Sequence, residues 1–122
     1  MVKVGRWVIF VFVITVVFTL THIPQVNMPS DLGVGNFDKI LHAGAYGVLA
    51  FVGIWAVGFG RGWRGYVGLA MMLAGLGVVD ELTQPWVGRT CGVDDWAANV
   101  VGIVVVLGVV RVAGGWGRGK EK

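Results

Sequence analysis

Residues 64–86 read RGYVGLAMMLAGLGVVDELTQPW. From Gly65 to Val79 no side chain is charged; then Asp80, Glu81, Gln84 and Pro85 follow within six residues. An uncharged run of this kind is either the core helix of a soluble domain or most of a membrane span. The rest of the chain decides between them.

The chain has 122 residues, of which 56% are hydrophobic and 14% charged. Its mean hydropathy is +0.76. Soluble domains carry about 25% charged residues. A soluble protein of this size would have too little polar surface to cover its core. The solvent is therefore a bilayer. Three further apolar runs flank the first, and together they give spans at about 5–23, 38–59, 64–84 and 95–113. Each is near the ~20 residues that cross a bilayer as a helix. Pro24 and Pro85 set two of the ends, because the residue before a proline is pushed out of helical geometry. The runs are too long and continuous for barrel strands. The sequence thus predicts an all-α, integral membrane four-helix bundle in one domain, 1–122. Residues 8–20 lack a small-x-small cleavage pattern after them and read as a retained first span.

Basic residues set the orientation. Lys3, Arg6, Arg61, Arg64, Arg111, Arg118, Lys120 and Lys122 fall on one side; only Lys39 and Arg89 fall on the other. Both termini are expected to be cytoplasmic. The basic residues are split among short loops and tails, which argues against nucleic acid as the partner. The single Cys91 cannot form an intrachain disulfide, and one cysteine with two histidines excludes a cysteine–histidine zinc cluster.

Six carboxylates, Asp31, Asp38, Asp80, Glu81, Asp94 and Asp95, fall on the outer side, an excess the positive-inside rule does not require. Three stretches carry the polar groups. In FDKILHAGAY, residues 37–46, Asp38, His42 and Tyr46 are spaced i, i+4, i+8, and Lys39 overlaps that face. In residues 77–86, Asp80 and Glu81 end a helix, where the macrodipole disfavours acids by about 0.3–1 kcal/mol each. The uncharged run before them covers roughly 22 Å of a ~30 Å hydrocarbon core, so they should sit at its boundary, partly desolvated. Lys39, in the first turn of its helix, breaks the same rule with the opposite sign. Lys39, Arg89 or both are therefore expected to pair with Asp80 and Glu81. In residues 88–102, Asp94 and Asp95 open the fourth helix, where carboxylates are favoured. Asn99 lies one turn below Asp95, and an amide in hydrocarbon needs partners.

Other residues have plainer readings. Trp86 and Trp96 read as interfacial anchors, His22 as an interfacial residue, and Met71 and Met72 as packing residues. Ala43 and Gly47, Ala70 and Ala74, and Ala98 and Gly102 are small-xxx-small pairs that let helices approach closely. Because consecutive spans alternate in direction, the start of span two should meet the end of span three and the start of span four. Ionisable groups at such a place are candidates for function.

Asp38, Lys39, His42 and Tyr46; then Glu81, Gln84 and Arg89; then Asp95, Asn99 and Gly102: in order and spacing these resemble the motifs of the VanZ-like family of small membrane proteins. The resemblance covers residues 37–108. The first span fits the family layout without a motif, and Asp94 and the Cys91–Gly92 pair look like local variation. The family name comes from resistance to teicoplanin, a glycopeptide antibiotic acting on cell-wall precursors outside the membrane. The resemblance implies a multi-pass protein of the bacterial plasma membrane with its polar site facing outside. Asp38, Lys39, His42, Tyr46, Glu81, Gln84, Arg89, Asp95 and Asn99 would bind a lipid headgroup or a lipid-linked cell-wall precursor, with Lys39 and Arg89 holding phosphate. That reading calls for no cofactor and leaves the oligomeric state open.

Two alternatives stand beside it. An outer-leaflet enzyme would use Glu81 or Asp80 as general acid or base with His42, or hold a divalent metal among Asp38, His42, Glu81 and Asp95. A structural polar cluster would fix helix register. A transport path is disfavoured, since Thr15 is the main polar residue below the outer third.

Overall fold

The computed structural model describes the backbone of residues 2–22, 34–60, 62–87 and 93–120, and the side chains of 4–22, 39–60, 62–86 and 93–114. Four helices account for nearly all of it: α1 (Val2–Thr21), α2 (Val34–Val57), α3 (Trp63–Thr83) and α4 (Val93–Lys120). A single 3-10 turn, Gln84–Val87, extends α3, with Pro85 inside it. No strand occurs among the described residues. Each helix is long and apolar enough to cross a membrane, over Val4–Thr21, Lys39–Val57, Trp63–Trp86 and Val93–Gly114. These agree with the expected spans to within a few residues.

Two boundaries differ in ways that matter. Helix α2 begins at Val34, so Lys39 lies in its second turn, away from the positive end of the dipole. Helix α4 continues to Lys120, beyond the apolar stretch.

Helix α2 is the hub: it packs on α1, α3 and α4, and its contact with α4 is the most extensive. The reason is lateral thinness. A Cβ on Gly102 would stand 2.1 Å from the carbonyl oxygen of Ala43, so the two backbones meet where no side chain intervenes. Gly47, one turn along α2, instead leaves room for the Val106 side chain, whose Cγ2 lies 3.1 Å from where a Cβ would stand. In lipid there is no hydrophobic force between helices, and close backbone approach supplies the van der Waals contact instead. The apolar core is completed by Phe10, Leu49, Ile54, Leu73 and Ile103, all at most 1% exposed. Large apolar side chains also cover the outside, among them Val8, Phe12, Met71, Val104, Val109 and Val112. Met71 and Met72, expected as packing residues, belong to this exposed set. An apolar outer surface on this scale suits lipid and not water.

The ends of α2 and α3 are tied by specific bonds. Gly58 takes a φ of 116°, which L side chains rarely adopt, and its N–H bonds the Ile54 carbonyl at 2.8 Å. This is a left-handed helix stop. Arg6 of α1 donates to the Trp55 carbonyl at 3.4 Å and stacks over the Trp55 ring, putting a cation at the negative end of α2. Tyr66 of α3 donates to Phe59 at 2.9 Å and closes the short α2–α3 connection. The chain therefore returns antiparallel from α2 to α3, and the polar ends of three motifs are carried to the opposite end of the molecule.

Candidate functional site

Asp80 and Glu81 are neighbours on α3, and consecutive residues on a helix point about 100° apart. They therefore serve two different interfaces. Both are buried, with Asp80 wholly inaccessible.

Asp80 faces α1 and α2. Thr21 donates to its Oδ1 at 2.5 Å, and Tyr46 donates to its Oδ2 at 2.9 Å. His22 Nδ1 lies 3.2 Å from Oδ1. The His22 ring stacks on Phe18, one turn back, with Nδ1 also 2.8 Å from the Phe18 carbonyl. Its Nε2 is 2.6 Å from the Thr83 hydroxyl. A hydroxyl–imidazole–carboxylate string thus runs from Thr83 through His22 to Asp80. Thr83, however, also bonds the carbonyls of Val79 and Asp80 on its own helix, at 2.9 and 3.1 Å. Its hydroxyl is held against α3, a poor posture for a nucleophile.

Glu81 faces α2 and α4. His42 of α2 places Nδ1 3.7 Å from Glu81 Oε1 and 3.0 Å from Asn99 Oδ1. Its Nε2 lies 4.0 Å from Asp95 Oδ2. Gln84 donates from Nε2 to Glu81 Oε1 at 3.4 Å. His42, Glu81, Gln84 and Asn99 are all at most 3% exposed, and Asp95 closes the rim, half-buried. Gln84 Oε1 and Asn99 Nδ2 are buried without a hydrogen-bond partner. Buried orphans of this kind are uncommon and call for an explanation. Gly77 lies against the same cluster: a Cβ there would stand 3.3 Å from the Trp96 ring and 3.4 Å from Asn99 Nδ2.

The structure therefore brings His42, Glu81, Gln84, Asp95 and Asn99 together from three helices, and joins Tyr46 to Asp80 one turn deeper on α2. Arg89 and the side chain of Asp38 lie outside the described residues.

Of the expected pairing of Lys39, Arg89 or both with Asp80 and Glu81, the Lys39 part is not formed, and the Arg89 part lies outside the described residues. Lys39 Nζ lies 3.7 Å from Asp94 Oδ2, with both side chains substantially exposed. The dipole conflict that motivated the pairing is removed by the earlier start of α2. Asp80 has hydroxyls and His22 instead of an ammonium. Asp94 thus holds an exposed ion pair at the start of α4. Trp96 is also not an interfacial anchor: its indole donates to the Ala74 carbonyl at 3.0 Å, between α4 and α3. Trp86, by contrast, is 83% exposed, as an anchor should be.

Thr21, His22 and Thr83 were not expected at the site. His22 had been placed at the interface, and the two threonines carry no spacing signal. The one available sign was that Thr21 and His22 end span one at the same height as Asp80.

Comparison with family models, with curated proteins and with solved structures returns no match.

Proposed function

We propose that the chain is a VanZ-like protein of the bacterial plasma membrane with both termini cytoplasmic. Its polar site opens toward the outer leaflet, binds a lipid headgroup or a lipid-linked cell-wall precursor, and lowers susceptibility to teicoplanin-type glycopeptides. One observation carries the binding part: five polar side chains from three helices converge at one end of the molecule with two buried amide atoms unpartnered, Gln84 Oε1 and Asn99 Nδ2. A polar headgroup offers such atoms the partners they lack. The three-motif resemblance carries the envelope part.

Lys39, exposed beside Asp94, remains in this reading a holder of phosphate together with Arg89. Among the described side chains the pocket presents two carboxylates and an imidazole, which can pair with amine, amide and hydroxyl groups of a headgroup.

The test is expression in a glycopeptide-sensitive bacterium with membrane insertion confirmed. The wild-type chain should raise the teicoplanin concentration needed to stop growth, and Glu81→Gln and Asn99→Ala should abolish the rise. An inserted wild-type chain without any shift in susceptibility rejects the proposal.

The enzyme alternative keeps one specific support, the approach of His42 Nδ1 to Glu81 Oε1 at 3.7 Å, which is within reach of proton exchange through small adjustments. Full activity in Glu81→Gln and His42→Ala would exclude it.

A further inference from the structure

We infer that His42, Glu81 and Asp95 bind a divalent first-row transition-metal ion that clips α2, α3 and α4 together. Each residue presents one ligand atom, and the three atoms lie within 4.8 Å of one another. Ligand distances of roughly 2.0–2.2 Å put donors about 3–4.4 Å apart around such an ion, so a small inward movement closes the shell.

Two further observations favour a cation. The first is the outer support of the histidine. Asn99 Oδ1 lies 3.0 Å from Nδ1, and Nε2 is turned toward Asp95 Oδ2 at 4.0 Å. A metal-binding histidine almost always donates its other N–H to such an acceptor, which fixes tautomer and ring orientation. The second is Gln84. Its amide is wholly buried against the Glu81 carboxylate and leaves Oε1 without a hydrogen-bond partner. An amide oxygen is a serviceable fourth donor.

The donor types select the ion. Imidazole suits zinc, iron, cobalt and nickel, while magnesium and calcium prefer all-oxygen shells. Two carboxylates supply the anionic oxygens that such an ion takes beside an imidazole. The inference concerns the pocket assigned above to a headgroup, but it needs neither the envelope role nor the family resemblance.

The experiment uses tag-free, full-length protein in detergent, stripped with a chelator. Zn2+ and Mn2+ are titrated separately, with Ca2+ and Mg2+ alongside, and bound metal and melting temperature are measured. About one transition ion per chain should remain bound through gel filtration and raise the melting temperature. Asp95→Asn and Glu81→Gln should bind none, and Asn99→Ala should bind roughly 10- to 100-fold more weakly. Asp94→Asn, outside the cluster, should bind as the wild type does. Absence of binding to the wild type overturns the inference, as does unchanged binding in Asp95→Asn, whose rim position tolerates an amide. Tighter binding of Ca2+ or Mg2+ overturns the assigned class. No antibiotic enters these measurements, so the metal site and the resistance role fail separately.

Discussion

Tyr46 on α2 gives its phenolic hydrogen to Asp80 on α3 across 2.9 Å, and neither side chain is more than 1% exposed. The bond joins the hub helix to the helix that carries both buried acids. Removing the hydroxyl leaves an Asp80 oxygen in a dry interface. A hydrogen bond to a charged group is worth about 1.5–3 kcal/mol in soluble proteins, whereas interhelical bonds in membranes average about 0.6 kcal/mol with a maximum near 1.7. Burial and the carboxylate acceptor put this one at the upper end of the membrane range. Tyr46→Phe should cost about 1–1.7 kcal/mol in denaturant unfolding from detergent. A cost below a few tenths would show that Asp80 does not depend on it.

Gly102 and Gly108 lie on the same helix and should respond oppositely to alanine. At Gly102 the added methyl meets the Ala43 backbone, which can move only if α2 and α4 separate. Overpacking of this type costs about 1–3 kcal/mol, and a backbone obstacle places it at the top of that range or beyond. At Gly108 nothing lies within 4 Å, and alanine should be neutral or stabilise the helix by up to about 1 kcal/mol. Melting temperatures of the two variants, read side by side, check the α2–α4 contact directly.

The Lys39–Asp94 pair should contribute little. Its side chains are 44% and 81% exposed, and exposed pairs are worth about 0.2–1 kcal/mol. A double-mutant cycle with Lys39→Gln and Asp94→Asn should give coupling in that range, falling as salt rises. The corresponding cycle between Lys39 and Glu81 should give none. Strong Lys39–Glu81 coupling would restore the pairing that the geometry denies.

Much of this architecture could be read from hydropathy. Four helices and their approximate limits follow from apolar runs, and the small-residue pairs at Ala43, Gly47 and Gly102 marked the closest approach. The convergence of His42, Glu81 and Asn99 was legible because antiparallel spans of known direction bring those ends together. What could not be read was partner choice. The dipole argument that pairs Lys39, Arg89 or both with the buried acids needs the helix to start at Asp38; it starts at Val34, which removes the reason for Lys39. The divergence of Asp80 from Glu81 follows from their adjacency, but the identity of the groups facing Asp80 depends on the rotation of α1. Nothing in the apolar pattern of α1 fixes that rotation, so Thr21 and His22 went unrecognised.

Gln84 separates a register-fixing knot from a binding site. It is wholly buried, its Oε1 has no partner, and its one bond, to Glu81, is long at 3.4 Å. If the amide serves only structure, it serves it badly, because an unsatisfied buried acceptor costs about 1–3 kcal/mol. An apolar side chain of similar size removes that cost and keeps the packing. Gln84→Met should therefore leave the melting temperature unchanged or raise it, while lowering metal retention and abolishing any gain in glycopeptide resistance. A residue kept at the expense of stability is the expected mark of a site under functional demand. The opposite pattern, a clear loss of stability with binding and resistance intact, would make the cluster a device for holding helices in register and nothing more.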